Sequence, residues 1–365
     1  MNLRNVVKSI FLTCLAVLAL NTTFANEGKE KEFNVSETIM HHIGDAHEWH
    51  IVGGHEDAVS IPLPIILVDG GLKVFSSKYL YHHGELQHAI DENGGEITYV
   101  ADTEHGYALF HEKIYKLNGN DELDFHNGHP VNAKPLDLSI TKNTLSLLIG
   151  STLLVVLMSV VARFYKKNGS VAPKGLAKFI EPIVIFVRDE VAKANIGEHK
   201  YMKYTPFLLT IFFFILINNL LGLIPVFPGG ANLTGNIAVT MVLAVASLLV
   251  TVFSGNKNYW KHIFATPGVP VPLLIIMIPI EIVGVLTKPF ALMVRLFANI
   301  TAGHIIVLAL ISIIFINKSA AWGALSVPMA LFISVLEILV AFLQAFLFSM
   351  LTSLFISAAV EEHHH

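Results

Sequence analysis

The sequence predicts an all-α polytopic membrane protein with an N-terminal, exported, small β-rich domain. Of its 365 residues, 53% are hydrophobic and only 14% are charged, whereas a typical soluble domain has roughly 25% charged residues. Residues 204–360 carry seven charged side chains in 157 positions. Residues 26–142 carry 20 acidic and 8 basic side chains, a net charge of −12, whereas residues 143–365 are net +6. The two parts are therefore expected in different environments.

The first 25 residues have the features of a cleaved signal peptide. Two basic residues, Arg4 and Lys8, precede an apolar stretch at 10–20, and the segment ending at Ala25 suits a small-residue cleavage site. As a helix this stretch extends about 16 Å, short of the roughly 30 Å hydrocarbon layer, so an uncleaved anchor is only the alternative. The single cysteine, Cys14, lies within this leader, which excludes a disulfide framework and a cysteine metal site.

Residues 26–140 are predicted to form the exported, acidic domain. Short apolar runs such as 61–68 and 97–100 alternate with turn signals such as 93–95, a pattern typical of strands. The domain holds 12 of the 18 histidines. Their spacing matches no recognised ligand motif, so solvated surface histidines are the favoured interpretation, and a zinc or copper site is the alternative. Proton collection by this acidic, histidine-rich surface is a further hypothesis.

Residues 141–365 are the predicted membrane domain, with about five apolar segments long enough to cross a bilayer. The loop at 163–203 carries nine Lys or Arg residues, and Lys257 and Lys261 lie in the next loop on the same side. Basic loops stay in the cytoplasm, so the C-terminus is predicted inside and the strand-rich domain outside. The predicted spans are residues 145–163, 206–225, 237–254, 273–316 and 325–360.

The last two predicted spans are longer than a bilayer requires. A helix over 273–316 would extend about 66 Å, so these helices are expected to tilt, to bend at Pro279, Pro289 or Gly303, or to run partly along the membrane. Ahead of the second span, residues 174–203 mix apolar and charged side chains. This mixture predicts an amphipathic helix on the cytoplasmic surface, with an ordinary loop helix as an equal alternative.

The ionisable residues of the fourth span follow a regular pattern. Glu281, Lys288 and Arg295 are seven residues apart, which returns a helix to nearly the same face, and Asn299 lies one turn further. If the helix continues through Pro289, these side chains form one polar stripe.

A second group of polar residues is predicted across the turn near residue 320. Antiparallel helices joined there bring together positions whose numbers sum to about 640, so His304 lies level with Glu337. By the same rule Gln344 lies within about a turn of Arg295. The sequence thus predicts a polar seam from His304 and Glu337, in the outer half of the membrane, to Arg295 and Gln344 deeper in.

Structural roles also account for some of these residues. Hydrogen bonds between helices would explain Gln344 and Asn299, a His304–Glu337 pair would satisfy both partners, and snorkelling would explain Lys288. Arg295 differs, because no acid lies level with it on the paired helix. A charge at membrane depth costs about 2.5 to 3.5 kcal/mol on insertion scales, so a partner from elsewhere is expected.

These residues resemble subunit a of the F-type ATP synthases, the stator through which protons reach the rotating c-ring. The resemblance covers residues 179–362, about half of the chain. The segments that carry it are Phe179-Ile-Glu, Asn218-Asn-Leu-Leu-Gly-Leu-Ile-Pro225, Glu281 with Lys288-Pro289, Arg295-Leu-Phe-Ala-Asn299 with Ala302-Gly303, and Leu343-Gln-Ala-Phe346.

The resemblance implies a role for each of these positions. Arg295 is expected to face the c-ring and to oppose an essential ring carboxylate, which separates the two half-channels. His304 and Glu337 are expected to line the outer half-channel, and Glu281 to belong to the cytoplasmic exit. His304 stands where some members carry Glu, and Glu337 where those members carry His, so which of the two is the main proton carrier stays open. The remaining positions assigned to the pathway or its support are Gln344, Asn299, Lys288 and Asn219.

The resemblance further implies a non-catalytic subunit of a bacterial-type inner membrane. Its expected partners are the c-ring, the peripheral-stalk b subunits, the remaining ATP synthase subunits and the lipid bilayer. The sequence has no phosphate-binding loop, and no cofactor, metal or nucleic acid is implied. The alternatives are a self-contained secondary proton or cation transporter, with Arg295 and Glu337 at its substrate site, and a membrane anchor for the exported domain. Secondary transporters usually show repeated halves, and no internal repeat is visible here.

Overall fold

Strands dominate residues 48–137 and helices dominate the chain after Lys142. The computed structural model describes residues 35–52, 59–90, 95–169, 171–225, 227–265 and 270–361. The predicted signal peptide lies outside the described residues. Of the two compact units into which the chain divides, the second begins at Ser36, and it contains every element described below except the first residue of α1.

The strand-rich part, called the outer domain from here on after its predicted location, contains eleven short strands and two helices in its described residues. Their bounds are α1 Val35–Ile43, β1 Glu48–Val52, β2 Val59–Pro62, β3 Pro64–Val68, β4 Leu72–Ser76, α2 Lys78–Tyr81, β5 Glu85–Ile90, β6 Glu96–Asp102, β7 Tyr107–Phe110, β8 Lys113–Lys116, β9 Phe125–His126, β10 His129–Pro130 and β11 Leu136–Asp137.

The strands pair antiparallel in four small sheets, β1-β2, β9-β10, β11-β3-β4 and β5-β6-β7-β8. Strand β7 is buried along its whole length. Its Tyr107 and Leu109 belong to a cluster with Ile65 and Leu67 of β3, whereas Ala108 and Phe110 belong to a second cluster. Successive side chains of a strand point to opposite faces, so β7 contributes to two small cores.

The membrane part contains five helices that are long and apolar enough to cross a membrane. This confirms the predicted architecture of five spans after a strand-rich region. The helices of this part are α3 Lys142–Asn168, α4 Ala177–Phe186, α5 Ala194–Ile196, α6 Tyr201–Gly222, α7 Ile237–Ser254, α8 Lys257–Phe264, α9 Val271–Ile316 and α10 Gly323–Val360.

Helix ends follow local capping chemistry. Thr141, Asn236 and Asn256 cap α3, α7 and α8, each accepting a hydrogen bond from a first-turn backbone N–H.

Helix α3 runs beyond the predicted span at both ends, because polar and charged residues continue the helix outside the apolar segment. Helix α9 continues through Pro279 and Pro289, so the condition for one polar stripe is met.

Helix α6 is the most buried of the five spans and α9 the least. The core around α6 includes Phe212 and Ile215, with Leu296 of α9 and Phe348 of α10. The segment predicted as a surface helix is α4, a π-helical stretch at Val187–Lys193, and α5. Val187 and Val191 of this segment are fully buried and belong to the same core, so its inner face packs on protein, chiefly on α6 and α10.

Candidate functional site

Helices α9 and α10 form a long hairpin, closed by a turn that contains the 3-10 segment Ala320–Trp322. Within the hairpin, the carboxylate of Glu337 lies so close to Gly303 that a Cβ on this glycine would overlap Glu337 Oε1. His304 is the next residue of α9. The hairpin therefore brings Glu337 to the depth of His304, although no hydrogen bond joins these two side chains within the described ranges.

His304 also faces α6. Its Nε2 atom lies 3.8 Å from the position that a Cβ on Gly222 would take, and the same Cβ position is 3.1 Å from Ala231 O. Glycine at 222 thus lets α6, α9 and the loop after α6 approach each other. Ala231 and Leu233 of this loop are buried, so the loop covers the helices beside His304.

Asn219 lies one turn before Gly222 and is buried. Its Oδ1 accepts a hydrogen bond from Thr234 Oγ1 at 2.5 Å, whereas its Nδ2 is buried without a partner among the described residues. Thr301 of α9 donates to Gly235 O at 3.5 Å. These bonds fix the loop on α6 and α9 beside His304.

Arg295 is exposed on α9, whereas its neighbours Leu292, Met293 and Leu296 are buried. In the described parts of the chain, no Asp or Glu forms an ion pair with Arg295. The guanidinium therefore points out of the helix bundle, at the surface of a membrane-spanning helix. A charge in that position needs a partner outside this chain or a hydrated surface.

The other predicted site residues are not gathered at one point. Asn299 is exposed one turn from Arg295, and Gln344 is buried on α10; no hydrogen bond joins Gln344 to Arg295 within the described ranges. Lys288 is exposed, and its Nζ lies 5.6 Å from the centre of the Phe355 ring. The polar residues of the hairpin are thus spread along its length.

Glu281 is half-buried near the start of α9 and lies within electrostatic range of Tyr259 on α8. Burial, reinforced by the charge of Glu281, raises the pKa of Tyr259. The carboxylate is therefore at the end of the bundle that carries Lys257 and Lys261, which the sequence predicts to face the cytoplasm.

A buried joint between the outer domain and α3 was not predicted. Lys142, the first residue of α3, is 8% exposed and donates from Nζ to His42 O at 3.0 Å. Its backbone N–H donates to Ala46 O at 2.9 Å, and that of Asn143 donates to Asp45 Oδ1 at 3.0 Å. The segment before β1 thus supplies acceptors for the first N–H groups of α3, which have no partner inside the helix.

An aromatic contact joins the outer domain to the loop after α6. Trp49 of β1 is 2% exposed, and its ring meets that of Phe227 edge to face with centroids 5.3 Å apart. The outer domain therefore touches both the first span and the loop that covers His304.

Next to this joint, His47 Nε2 and Asp137 Oδ2 are 2.9 Å apart. Burial alone would raise the pKa of Asp137, but the hydrogen bonds from His47 and Ser139 lower it to about 2. Within the described ranges, no three His, Cys, Asp or Glu side chains lie close enough together to hold a metal ion.

The five long apolar helices, with an exposed arginine on α9 and further polar residues spread along the α9–α10 hairpin, define a polytopic membrane protein. The profile of the ATP synthase A chain family matches residues 145–357. The chain belongs to this family. A second family, a domain of unknown function (DUF8433), matches residues 38–138, which lie in the outer domain.

Curated relatives agree with this assignment. The chain is similar to the protein named ATP synthase subunit a 2 of Chlorobaculum tepidum, with 51% identity over 230 residues, 61% of this chain and 64% of that protein. For the protein of the same name from Chlorobium luteolum the identity is 52% over 231 residues, 61% of this chain and 66% of that protein. The chain therefore matches slightly less than two thirds of the length of each of these relatives.

Proposed function

We propose that this chain is the non-catalytic, proton-conducting stator subunit of a rotary F-type ATP synthase, with Arg295 between two offset half-channels. The single observation that carries the proposal is the exposed guanidinium of Arg295 on the least buried span, which forms no ion pair with any residue that the structure describes. A secondary transporter would use such a residue inside its own bundle. A charge presented at the bundle surface instead suits a partner that docks there.

The mechanism follows from electrostatics. A ring carboxylate crosses lipid only in its protonated form, because a bare charge in hydrocarbon is costly. When it meets Arg295, the positive charge favours the ionised form, so the proton leaves to one half-channel. A guanidinium group keeps its proton throughout the physiological pH range, so arginine does not relay protons between the half-channels.

The outer half-channel is assigned to His304 and Glu337, with Asn219 holding the covering loop through Thr234. Imidazole exchanges protons near neutral pH, as a relay requires. Gln344 and Asn299 are assigned to the path between this pair and Arg295. The close approach of Glu337 to Gly303, next to His304, supports a shared proton site between α9 and α10.

The cytoplasmic half-channel is assigned to Glu281, with Lys288 as a supporting residue. The half-buried position of Glu281 beside Tyr259 supports this assignment. The energy available is about 2.3 kcal/mol per elementary charge per 100 mV of membrane potential, in addition to the pH gradient.

The proposed partners are the c-ring, the peripheral-stalk b subunits, the other ATP synthase subunits and the lipid bilayer. The proposed location is a bacterial-type inner membrane, with the outer domain outside and the C-terminus in the cytoplasm. The proposed domains are a signal peptide at 1–25, an exported domain at 26–140 and a membrane domain at 141–365.

Disulfide cross-linking tests the surface that faces the ring. The only cysteine is in the predicted leader, so Ala298→Cys, exposed beside Arg295, gives a clean probe against a cysteine next to the ring carboxylate. The matched control is Val155→Cys, on the exposed surface of α3. We expect a cross-linked product from position 298 only. Equal cross-linking at both positions, or a chain that purifies in mild detergent without an oligomeric ring, would contradict the proposal.

A further inference from the structure

The buried face of α3 is polar in the half of the helix that adjoins the outer domain. Asn143, Ser146 and Gly150 lie on this face at helical spacing, and all three are buried. They cover about 10 Å of the helix. Leu154, the next buried residue on the face, belongs to the apolar core of the bundle. The polar stretch therefore begins at the joint with the outer domain and stops inside the bundle.

Helix α6 is divided in the same way. Its last buried residues, Asn218, Asn219 and Gly222, are polar or small, whereas the buried residues of the two preceding turns are apolar. The polar stretches of α3 and α6 meet, because a Cβ on Gly150 would overlap the side-chain amide of Asn218. Helix α3 also contacts the 3-10 segment Leu233–Gly235 of the loop after α6. The α3–α6 interface is thus polar near the outer domain and apolar beyond it.

Four buried amides at this interface and in its covering loop have a polar atom without a hydrogen-bond partner among the described residues. These atoms are Oδ1 of Asn143 and Asn218, and Nδ2 of Asn219 and Asn232. The four residues are between 2% and 5% exposed. Buried polar groups are as a rule hydrogen-bonded to protein or to ordered water. Four such atoms in one region therefore indicate that water is their partner.

The polar stretch connects the outer domain with His304. At its outer end, the half-buried carboxylate of Asp45 accepts the backbone N–H of Asn143 at 3.0 Å. At its inner end, Asn219 lies one turn before Gly222, and His304 Nε2 lies 3.8 Å from the Cβ position of that glycine. Polar groups thus line a continuous route from the joint to the proposed proton site.

We propose that protons enter the outer half-channel along the α3–α6 interface, through a water-filled passage that α3 lines with Asn143 and Ser146. The inference rests on the proposed function and gives its outer half-channel an entrance beside the outer domain. Amides and hydroxyls bind water but do not titrate near neutral pH, so they hold a chain of water molecules without retaining the proton. Asn143 and Ser146 are therefore positioning residues. The apolar core from Leu154 inward closes the passage towards the other side of the membrane.

Cysteine labelling tests whether water reaches this interface. The only cysteine of the chain is in the predicted leader, and a thiol reacts as its thiolate, which forms in contact with water. A charged methanethiosulfonate reagent is added on the outer side of vesicles that contain the assembled complex. We expect it to label Ser146→Cys at least about tenfold faster than two control variants. Leu148→Cys is at nearly the same depth on the exposed face of α3, and Leu154→Cys is buried beyond the polar stretch.

The same vesicles show whether the labelled passage carries protons. Potential-driven proton uptake from the outer side is recorded before labelling, after labelling, and after reduction of the mixed disulfide. For Ser146→Cys we expect uptake to fall by about tenfold on labelling and to recover on reduction. A fold defect cannot produce this pattern, because one assembled protein is measured three times.

Two results would overturn the inference. One is labelling of Ser146→Cys no faster than that of Leu148→Cys, and the other is labelling that leaves uptake unchanged. If Ser146→Cys does not assemble, Asn143→Cys, one turn closer to the outer domain, is measured in the same way. Arg295→Ala tests the proposed function itself: if it abolishes uptake while Ser146→Cys stays unlabelled, only the inference fails. Full coupling in Arg295→Ala would instead refute the proposed function.

Discussion

The carboxylate of Glu337 lies against Gly303, at the one position in that turn of α9 without a side chain. The space for the acid is thus made by the residue that precedes His304. The residue numbers of Gly303 and Glu337 sum to 640, which is the value expected for two residues at equal depth in a hairpin that turns near residue 320. The proposed proton site between α9 and α10 therefore depends on Gly303 as much as on its ionisable residues.

We expect Gly303→Ala to impair proton transport by at least about tenfold, because the new Cβ would displace the Glu337 carboxylate from the vicinity of His304. ATP-driven acidification of membrane vesicles measures the effect. The matched control is Gly284→Ala on the same helix, where a Cβ meets nothing within 4 Å. Equal activity of the two variants would show that the position of Glu337 is not critical.

A protein in which His304 and Glu337 are exchanged should keep more activity than a protein that has lost either one. His304→Glu and Glu337→His are each expected to reduce proton pumping by about tenfold or more, because one member of the pair becomes a second copy of the other. The double variant restores one acid and one base at equal depth. Recovery of most of the activity in the double variant is the expected result, and a double variant no better than the weaker single one argues against a shared site.

Arg295→Ala should abolish coupled proton movement, because no fixed positive charge would then ionise the ring carboxylate. Arg295→Lys should keep only part of the coupling, since an ammonium group releases its proton more readily than a guanidinium group. Potential-driven ATP synthesis in vesicles measures both. Lys261→Ala, an exposed site on α8, serves as the control and should behave like the wild type. Full coupling in Arg295→Ala would refute the assigned role.

The His47–Asp137 pair should make the outer domain sensitive to acid. Because its folded pKa is lowered to about 2, Asp137 contributes stability that is present above about pH 4 and is lost as the pH falls towards 2. Asp137→Asn is expected to cost about 1 to 2 kcal/mol of outer-domain stability at pH 7, with the difference vanishing near pH 2.

Hydrogen exchange of β3 and β11 amides in the full chain measures this difference. The control is Asp121→Asn, at an exposed turn position. Loss of protection at pH 7 in both variants, or in neither, would contradict the expected role of the pair.

The pattern of apolar residues was sufficient to predict the hairpin of α9 and α10. Apolar runs define α9 and α10, and a short connection requires antiparallel neighbours, so the depth of Glu337 follows by counting. The sequence does not decide whether α9 continues through Pro289, because a proline disrupts an isolated helix but can be accommodated in a packed membrane bundle. The outward direction of Arg295 required the structure, since it depends on which neighbours are buried.

The joint at Lys142 could not be predicted, because its partners are about 100 residues away in sequence. A lysine at the start of an apolar segment is usually interpreted as a residue that reaches the lipid headgroups. The role of Thr234 was missed for a different reason: its partner Asn219 is only 15 residues away, but a loop threonine gives no sequence signal for this bond. For residues 174–203, amphipathicity indicated a buried face but not whether lipid or α6 and α10 would cover it.

The contact between Trp49 and Phe227, together with the acceptors that the outer domain gives to α3, limits how this protein can be rearranged by recombination. A hybrid subunit that kept residues 145–357 but received a foreign N-terminal part would lose the ring that packs on Phe227. If it retained Lys142, that ammonium would also lose its carbonyl acceptor. We therefore expect the outer domain and the membrane helices to be inherited together. Where one of them is replaced, we expect compensating changes at Phe227 and Lys142.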